Sequence, residues 1–565
     1  MTTTPGHSLH HHHLLFLLPL PLLLLLLFLP LSLSQGCQPS SSRTECDTLP
    51  LVPGHELVGQ GFNMVTMKSS GASVVDTQSY MVGGDHGNCT VCPSLFLGQR
   101  HKLPVAVARW GVGVRCHRAL STQTFMSSQA VLKANARTQS ASWRSELDLR
   151  GLYGFAIGGT RSTSSCFAKS LSATDKYSYS RHDFTCRYYT VGLRARPPVT
   201  KAFQKAVGSL PVTYNSTTLP AYRHFISIYG THFLSQAELG GRVQSTTAMA
   251  TCRLAMSGLS VNDVSICLSA EGTAAIGGQA LPAAFRFCRA KSRRLSGRSF
   301  AETFSQRVTD VQGGIGGQGG DLLFAPRNRR RYEAWLRSLR ANPGVVAHSL
   351  TPLHALLDRR DAEKRESLRR AVSEYVRGYA VPAECRSRCA VGRRTESCGC
   401  ECRGHVGIDA NCCPTRASLA DLTVVVERAT GLWGDNFSKT DAYVTVFYGT
   451  RRSSTPVIAN NNFPQWNYRF SVGTVDLARK VPLRFEVWDQ NTLWKDTFLG
   501  KGFVVPNQGW QVKRRFPLMH GSLFVSITAV CAPNLTGPLC GRYSPTPAAG
   551  GGLCDQHEQA GGGHT

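Results

Sequence analysis

The sequence predicts an α+β chain in three successive units: a large region of strands and helices, a small cysteine-rich module and an all-β sandwich. Three observations carry this. After Tyr229-Gly230-Thr231-His232-Phe233 comes a strand-like run with two adjacent glycines, Gly240 and Gly241, and glycines inside a strand weaken it and mark a bend or a close backbone approach. Seven cysteines crowd into residues 385–413, among them Cys398, Cys400, Cys402 and the pair Cys412-Cys413. Short alternating runs follow at 422–427, 442–448, 483–488 and 523–527, separated by turns as in an antiparallel sandwich.

The N-terminus sets the compartment. Residues 1–34 hold no Lys, Arg, Asp or Glu, and from Leu14 to Leu33 they are almost wholly apolar. With Pro19, Pro21 and Pro30 interrupting the run, it reads as a secretory signal peptide cleaved after about Ser34, and not as a membrane anchor. All 20 cysteines lie beyond that point, an even set that implies disulfides in an oxidising compartment. Cys89 and Cys92, spaced like a redox pair, are read as structural. Sequons at Asn88, Asn215, Asn436 and Asn534 agree with a glycoprotein. No other segment is apolar enough for a transmembrane helix.

The formal charge is +28, densest between Arg286 and Arg340 with 13 Lys or Arg against 4 Asp or Glu. Such a stretch suits anionic head groups, at about 1 kcal/mol per basic residue near the surface. No nucleic-acid-binding motif accompanies the charge, so no nucleic-acid partner is expected. Nor is there a Gly-x-Ser-x-Gly elbow, a His-Glu-x-x-His pair or a Gly-x-x-x-x-Gly-Lys loop, so neither an enzyme nor a small-molecule substrate is expected.

Residues 35–380 form the first unit. Within it, Tyr229, Gly230, Thr231, His232 and Phe233, followed by Gly240 and Gly241, match the signature of the membrane attack complex/perforin family as they stand. The resemblance implies the fold shared with cholesterol-dependent cytolysins: a bent central antiparallel sheet with flanking helices, which opens at the glycine pair as subunits assemble. Leu368, Val372, Tyr375 and Tyr379 recur at helical spacing and predict a closing helix over 352–380, with Pro352 in its first turn.

Residues 381–415 carry the cysteine cluster, which reads as a disulfide knot too small to fold on its core alone; zinc or copper binding is the alternative. Position and spacing resemble the epidermal-growth-factor-like module of the family's perforin branch. Residues 416–531 resemble a C2 domain through Gly431–Asp435, Thr440 to Tyr443 and Val487 to Asp489. Asp435, Asp441, Asp489 and Asp496 fall at loops of the sandwich, and hard oxygens brought together from two loops are what calcium requires. Two positions where the resemblance implies carboxylates hold Asn491 and Thr497 instead, which weakens the expected Ca2+ site and leaves Asn491 as a neutral oxygen donor. Trp433, Phe437 and Trp494 lie near the same loops as candidates for the lipid interface. Residues 532–565 are a Gly- and Pro-rich tail.

Two runs alternate with period 2: Leu147, Leu149, Gly151, Tyr153, Phe155, Ile157, and Leu268, Ala270, Gly272, Ala274, Ile276. Each is long enough for a strand of a membrane barrel, which must close to satisfy its backbone in lipid. Phe300, Phe304, Val308 and Val311 fit a helix or a strand, as a segment that changes from one to the other would. The resemblance implies a secreted pore former that docks on phospholipid membranes through calcium, assembles as a homo-oligomeric ring or arc and inserts residues of about 141–180 and 263–311. It also implies storage in secretory granules of cytotoxic lymphocytes and cytolysis. A non-lytic or complement-like membrane-binding scaffold is the alternative.

Overall fold

The computed structural model describes residues 36–547 and Cys554, apart from 84–86, 95–96, 118, 138–141, 150, 153–154, 317–320, 325–328, 383, 386–388, 390, 397 and 435–437. The expected signal peptide, Tyr153, Asp435, Asn436 and Phe437 lie outside the described residues.

The large region is built on one antiparallel sheet. β1 (Val107–Cys116) and β2 (Ser121–Phe125) both pair with β3 (Tyr177–Leu193), and β3 pairs along its length with β4 (His232–Ala250). On its other side β4 pairs with β5 (Arg307–Gln312) and β6 (Gly344–Pro352). Register shifts line up across the strands. Leu239 faces Tyr189 while Gly240 faces Arg187, Val112 faces Tyr189 while Arg115 faces Arg187, and Glu238 faces Ala347 while Leu239 faces Val345. Residues 113–114, 188 and 346 thus form one line of bulges through the sheet at Gly240, and bulges bend a strand and raise its twist.

Helices occupy the connections. α1 (Ser128–Arg137) and α2 (Thr163–Ser172) lie between β2 and β3; α3 (Leu219–Tyr229) leads into β4; α4 (Thr251–Met256), α5 (Val261–Ala275) and α6 (Pro282–Ser292) lie between β4 and β5. α7 (Arg329–Ser338) precedes β6 and α8 (Ala362–Gly378) follows it. The closing helix therefore starts ten residues later than expected, because 344–352 is drawn into the sheet and Pro352 ends β6 opposite His232.

The alternating runs are not strands here. Leu268, Ala270, Gly272 and Thr273 are all buried within α5, which a reciprocal capping box of Ser260 and Asp263 starts and the Cys267–Cys288 disulfide ties to α6. In the other run Leu147, Leu149 and Ile157 are buried but Phe155 is exposed, and among the described residues of that run only Phe155–Ala156 is a strand. Phe300 opens a one-turn helix whose N-terminal N–H groups, on Phe300 and Ala301, donate to Glu271 at 2.9 and 2.8 Å. Val308 and Val311 already lie in β5.

The cysteine cluster is disulfide-bonded and not a metal site: Cys385–Cys398, Cys389–Cys400 and Cys402–Cys412 close it, and Cys413 reaches back to Cys252 at the start of α4. Cys89 and Cys92 pair with Cys46 and Cys37, so they are structural. Beyond the module stand two four-stranded sheets. β7 (Leu419–Thr430), β8 (Ala442–Tyr448), β9 (Arg451–Ser454), β10 (Gln465–Asp476), β11 (Leu483–Asp489), β12 (Thr497–Val504), β13 (Gly509–Pro517) and β14 (Ser522–Cys531) follow in chain order. The sheets run β10-β7-β14-β13 and β9-β8-β11-β12 around a core of Val424, Val426, Val444, Phe485, Val487 and Val525. Among the described residues no helix is long and apolar enough to cross a membrane.

Candidate functional site

The signature residues form a joint between helix and sheet. α3 ends at Gly230, whose φ of 77° suits glycine and whose added Cβ would lie 2.6 Å from the Phe62 backbone. Thr231 N donates to Phe62 O at 2.9 Å, and Met64 N donates to Thr231 Oγ1 at 3.0 Å. His232 is fully buried, its Nδ1 2.8 Å from that hydroxyl and its ring edge-on to Trp143 at 5.2 Å. Burial, then the neighbouring His354, push its pKa down to about 3. The ring is a neutral packing element. Tyr229 and Phe233 fill the core with Phe225, Leu353 and Leu368.

The glycine pair sits on the line of bulges. A Cβ on Gly240 would stand 2.1 Å from Cys186 O, and one on Gly241 would stand 2.4 Å from Leu339 Cδ1 and 2.7 Å from Trp335 Cζ2. Gly240 thus lets β4 close on β3, and Gly241 seats α7 against the bend. Trp335 Nε1 donates to Gly313 O at 2.8 Å, and Tyr332 and Trp335 meet Phe184 edge-on. α7 is a wedge held on the bent sheet. One arginine of the basic stretch is taken up inside: Arg307 pairs with Asp321 at 3.1 Å and lies over the Phe324 ring.

A second constellation lies at one end of the sandwich, where residues 431–434, 438–440, 455–464, 490–496 and 518–521 meet. Asp441 and Asp489 are brought together there: Asp489, 2% exposed, accepts the Asp441 N–H at 2.6 Å, and Asp441 Oδ1 accepts the Asn460 N–H at 2.6 Å. A Cβ on Gly434 would fall within 1.8 Å of Asp489 Oδ2, so the absent side chain leaves the loop backbone against that carboxylate. Asp496 accepts from Tyr443 Oη of β8 at 2.6 Å and from Asn491 N of its own loop at 3.2 Å. Asn491 Nδ2 donates to Lys495 O and to Thr497 Oγ1. Among the described residues no three His, Cys, Asp or Glu side chains stand together as a metal group. The carboxylates of Asp441 and Asp489, with glycine-exposed backbone beside them, are nonetheless a hard-oxygen donor set that fits a divalent cation.

Around these loops stand large exposed apolar side chains. Trp494 is 74% exposed and Leu493 81%, and Trp433, Phe463 and Met519 are exposed with them. Trp433 meets His520 edge-on at 4.8 Å. Leu493, Phe463 and Met519 escaped the sequence reading. Their signal was present as apolar residues in predicted turns, but nothing in the sequence says that three turns far apart in the chain share one end.

Comparison with known proteins agrees with this architecture. Residues 50–385 match the MAC/Perforin domain and residues 420–511 the C2 domain. The chain is 37% identical to human Perforin-1 and 35% identical to that of Rattus norvegicus over 519 residues, covering 90% of this chain and 93% of each relative. The chain belongs to the MAC/Perforin family. Complement component C8 alpha chain of Oryctolagus cuniculus is a more distant relative, 23% identical over 65% of this chain and 70% of its own length. In this MAC/Perforin chain Asn88 and Asn215 are exposed, whereas Asn534 is half-buried and its Nδ2 donates to Ser544 O at 3.1 Å and Thr546 Oγ1 at 2.5 Å.

Proposed function

We propose that this chain is a secreted, calcium-dependent pore former that docks on lipid bilayers through its C2 loops, oligomerises and inserts β-hairpins to make a transmembrane barrel. One observation carries the reading. Both long connections of the sheet, from β2 to β3 and from β4 to β5, carry helices among their described residues and join strands that already pair antiparallel, so each can lengthen its ladder by unfolding.

Asp441 and Asp489, with Asp435, Asn491 and Asp496 from the flanking loops, are the proposed calcium ligands. Bound calcium neutralises the acidic end and supplies positive charge to phosphate oxygens. Trp433, Trp494 and Leu493 then enter the interface, where an amphipathic ring or an exposed leucine leaves water. Opening straightens the sheet at Gly240 and Gly241, and α7 has to leave the bend, since Trp335 and Leu339 occupy its angle. Relatives named Perforin-1 support the cytolytic reading and, with it, storage in granules of cytotoxic lymphocytes before release.

Dye release from anionic and neutral liposomes, with calcium and with chelator, tests the proposal. Calcium-dependent release is expected; calcium-dependent binding without release would instead favour a non-lytic scaffold.

A further inference from the structure

Resting on the pore-forming reading, we propose that the Cys166–Cys554 disulfide is a latch that holds the first helical connection closed, and that a dithiol reductant opens it. Cys166 lies on α2, and Cys554 belongs to the chain's last residues, 388 positions away. The tail returns to the same place by other contacts. Tyr543 Oη donates to both Asp175 oxygens at 2.8 and 3.0 Å, Thr546 N donates to Asp175 Oδ1 at 3.0 Å, and the Arg253 guanidinium lies over the Tyr543 ring at 5.0 Å. Asp175 sits just before β3 and Arg253 just after β4, at the two points where helical connections join the sheet. The tail clasps both.

The existing registers show what each disulfide faces when the ladders lengthen. Phe125 pairs with Tyr179, and the midpoint of that pairing is residue 152, beside Gly151; Thr247 pairs with Arg307, and the midpoint is Gly277, beside Gly278. Tyr179 pairs with Ala248, so the two midpoints reach 27 and 29 residues beyond one common rung. Two independent ladders thus converge on glycine-marked turns at nearly the same height. In the second hairpin Cys267 faces Phe287, one residue from its partner Cys288, and a single bulge makes that disulfide a cross-strand rung. It survives the change.

Cys166–Cys554 does not fit in the same way. Nine residues separate Cys166 from Asp175 and span about 30 Å as a strand. Eight residues separate Thr546 from Cys554 and span about 29 Å at full stretch. With the clasp at Asp175 in place, the tail would have to run taut beside the barrel wall with its backbone unpaired. Keeping both costs that unpaired backbone, so release of the bond or of the clasp favours the extended state. Cys166 and Cys554 are both half-buried, as are Cys385–Cys398 and Cys389–Cys400 of the cysteine-rich module, whereas Cys252, Cys413, Cys267 and Cys288 are buried; the latch is therefore among the disulfides that a thiol can reach. Exchange with a dithiol balances: its two S–H groups supply two electrons and two protons, Cys166 and Cys554 leave as thiols, and the reductant leaves as its own disulfide.

The test compares the full chain with Cys166→Ser/Cys554→Ser and with a full chain carrying a protease recognition sequence between Thr546 and Cys554, cut after folding. Hydrogen exchange of 163–172 in the soluble protein is expected to quicken about tenfold in both severed forms, and dye release from neutral phosphatidylcholine vesicles with calcium to quicken at equal bound protein. Unchanged exchange in the cut chain overturns the latch. So does faster exchange with release no quicker than that of the uncut chain. No release from any form, at full binding, sinks the pore-forming reading instead, while the exchange result still decides whether the tail restrains α2.

Discussion

Asp489 shows how little of a site lies in one residue's identity. Its carboxylate is buried at the end of β11, opposite Ala442, with the Asp441 N–H as one partner. Asp489→Asn is expected to weaken calcium-dependent liposome binding by at least about tenfold, because a buried charge of the proposed ligand set is lost without a change of shape; unchanged binding at limiting calcium would remove it from that set. The buried histidines make a pH prediction. Burial holds His232 at about 3 and His348 and His354 at about 4, below the value of about 6.5 expected in the unfolded chain. The unfolded state therefore binds more protons as pH falls below 6.5, so their contribution to stability is intact above that pH. Below it, each loses about 1.4 kcal/mol per pH unit until its folded value is reached. Melting temperature is expected to be flat from pH 8 to 7 and to fall from pH 6.5 to 4.5, with a shallower fall in His348→Gln.

At the scale of elements, the sheet, its wedge and its helical connections depend on contacts that differ in kind. The glycine pair reads from the sequence as a hinge, so valines there would be expected to block opening and spare docking. Packing changes that expectation: a side chain on Gly240 meets backbone at Cys186 O, which cannot yield as a flexible side chain can. Gly240→Val is expected to cost about 3 kcal/mol or more of folding stability, read as a lowered denaturation midpoint, and so cannot isolate the opening step. Trp335→Ala is the cleaner probe of the wedge. It is expected to cost about 3–5 kcal/mol and, if α7 restrains the bend, to speed dye release per bound molecule; slower release would assign Trp335 to assembly. The α3-to-β4 joint was legible because one short motif contains it. The helical state of 261–275 was not, since period-2 and helical spacing coexist over so few residues and only the Ser260–Asp263 cap and the packing against β2 and β3 decide between them.

Across the whole molecule, the proposed docking loops and the proposed inserting connections sit in different units joined covalently. Cys252–Cys413 ties α4 to the cysteine-rich module, and the tail ties the sandwich's end to Asp175. Leu493→Ala with Trp494→Ala is expected to lower vesicle binding and release in parallel, leaving release per bound molecule unchanged; a fall in that ratio would place these side chains in the insertion step as well. The sequence by itself determined the order of the units, the signature joint, the sandwich and the paired state of the cysteines. Those follow from local motifs, strand periodicity and redox compartment. The tertiary structure decided which residues share one end of the sandwich, that a line of bulges crosses the sheet at Gly240, and that Cys554 closes on α2. Each of these joins residues distant in the chain, and separation along a sequence carries no measure of distance in space.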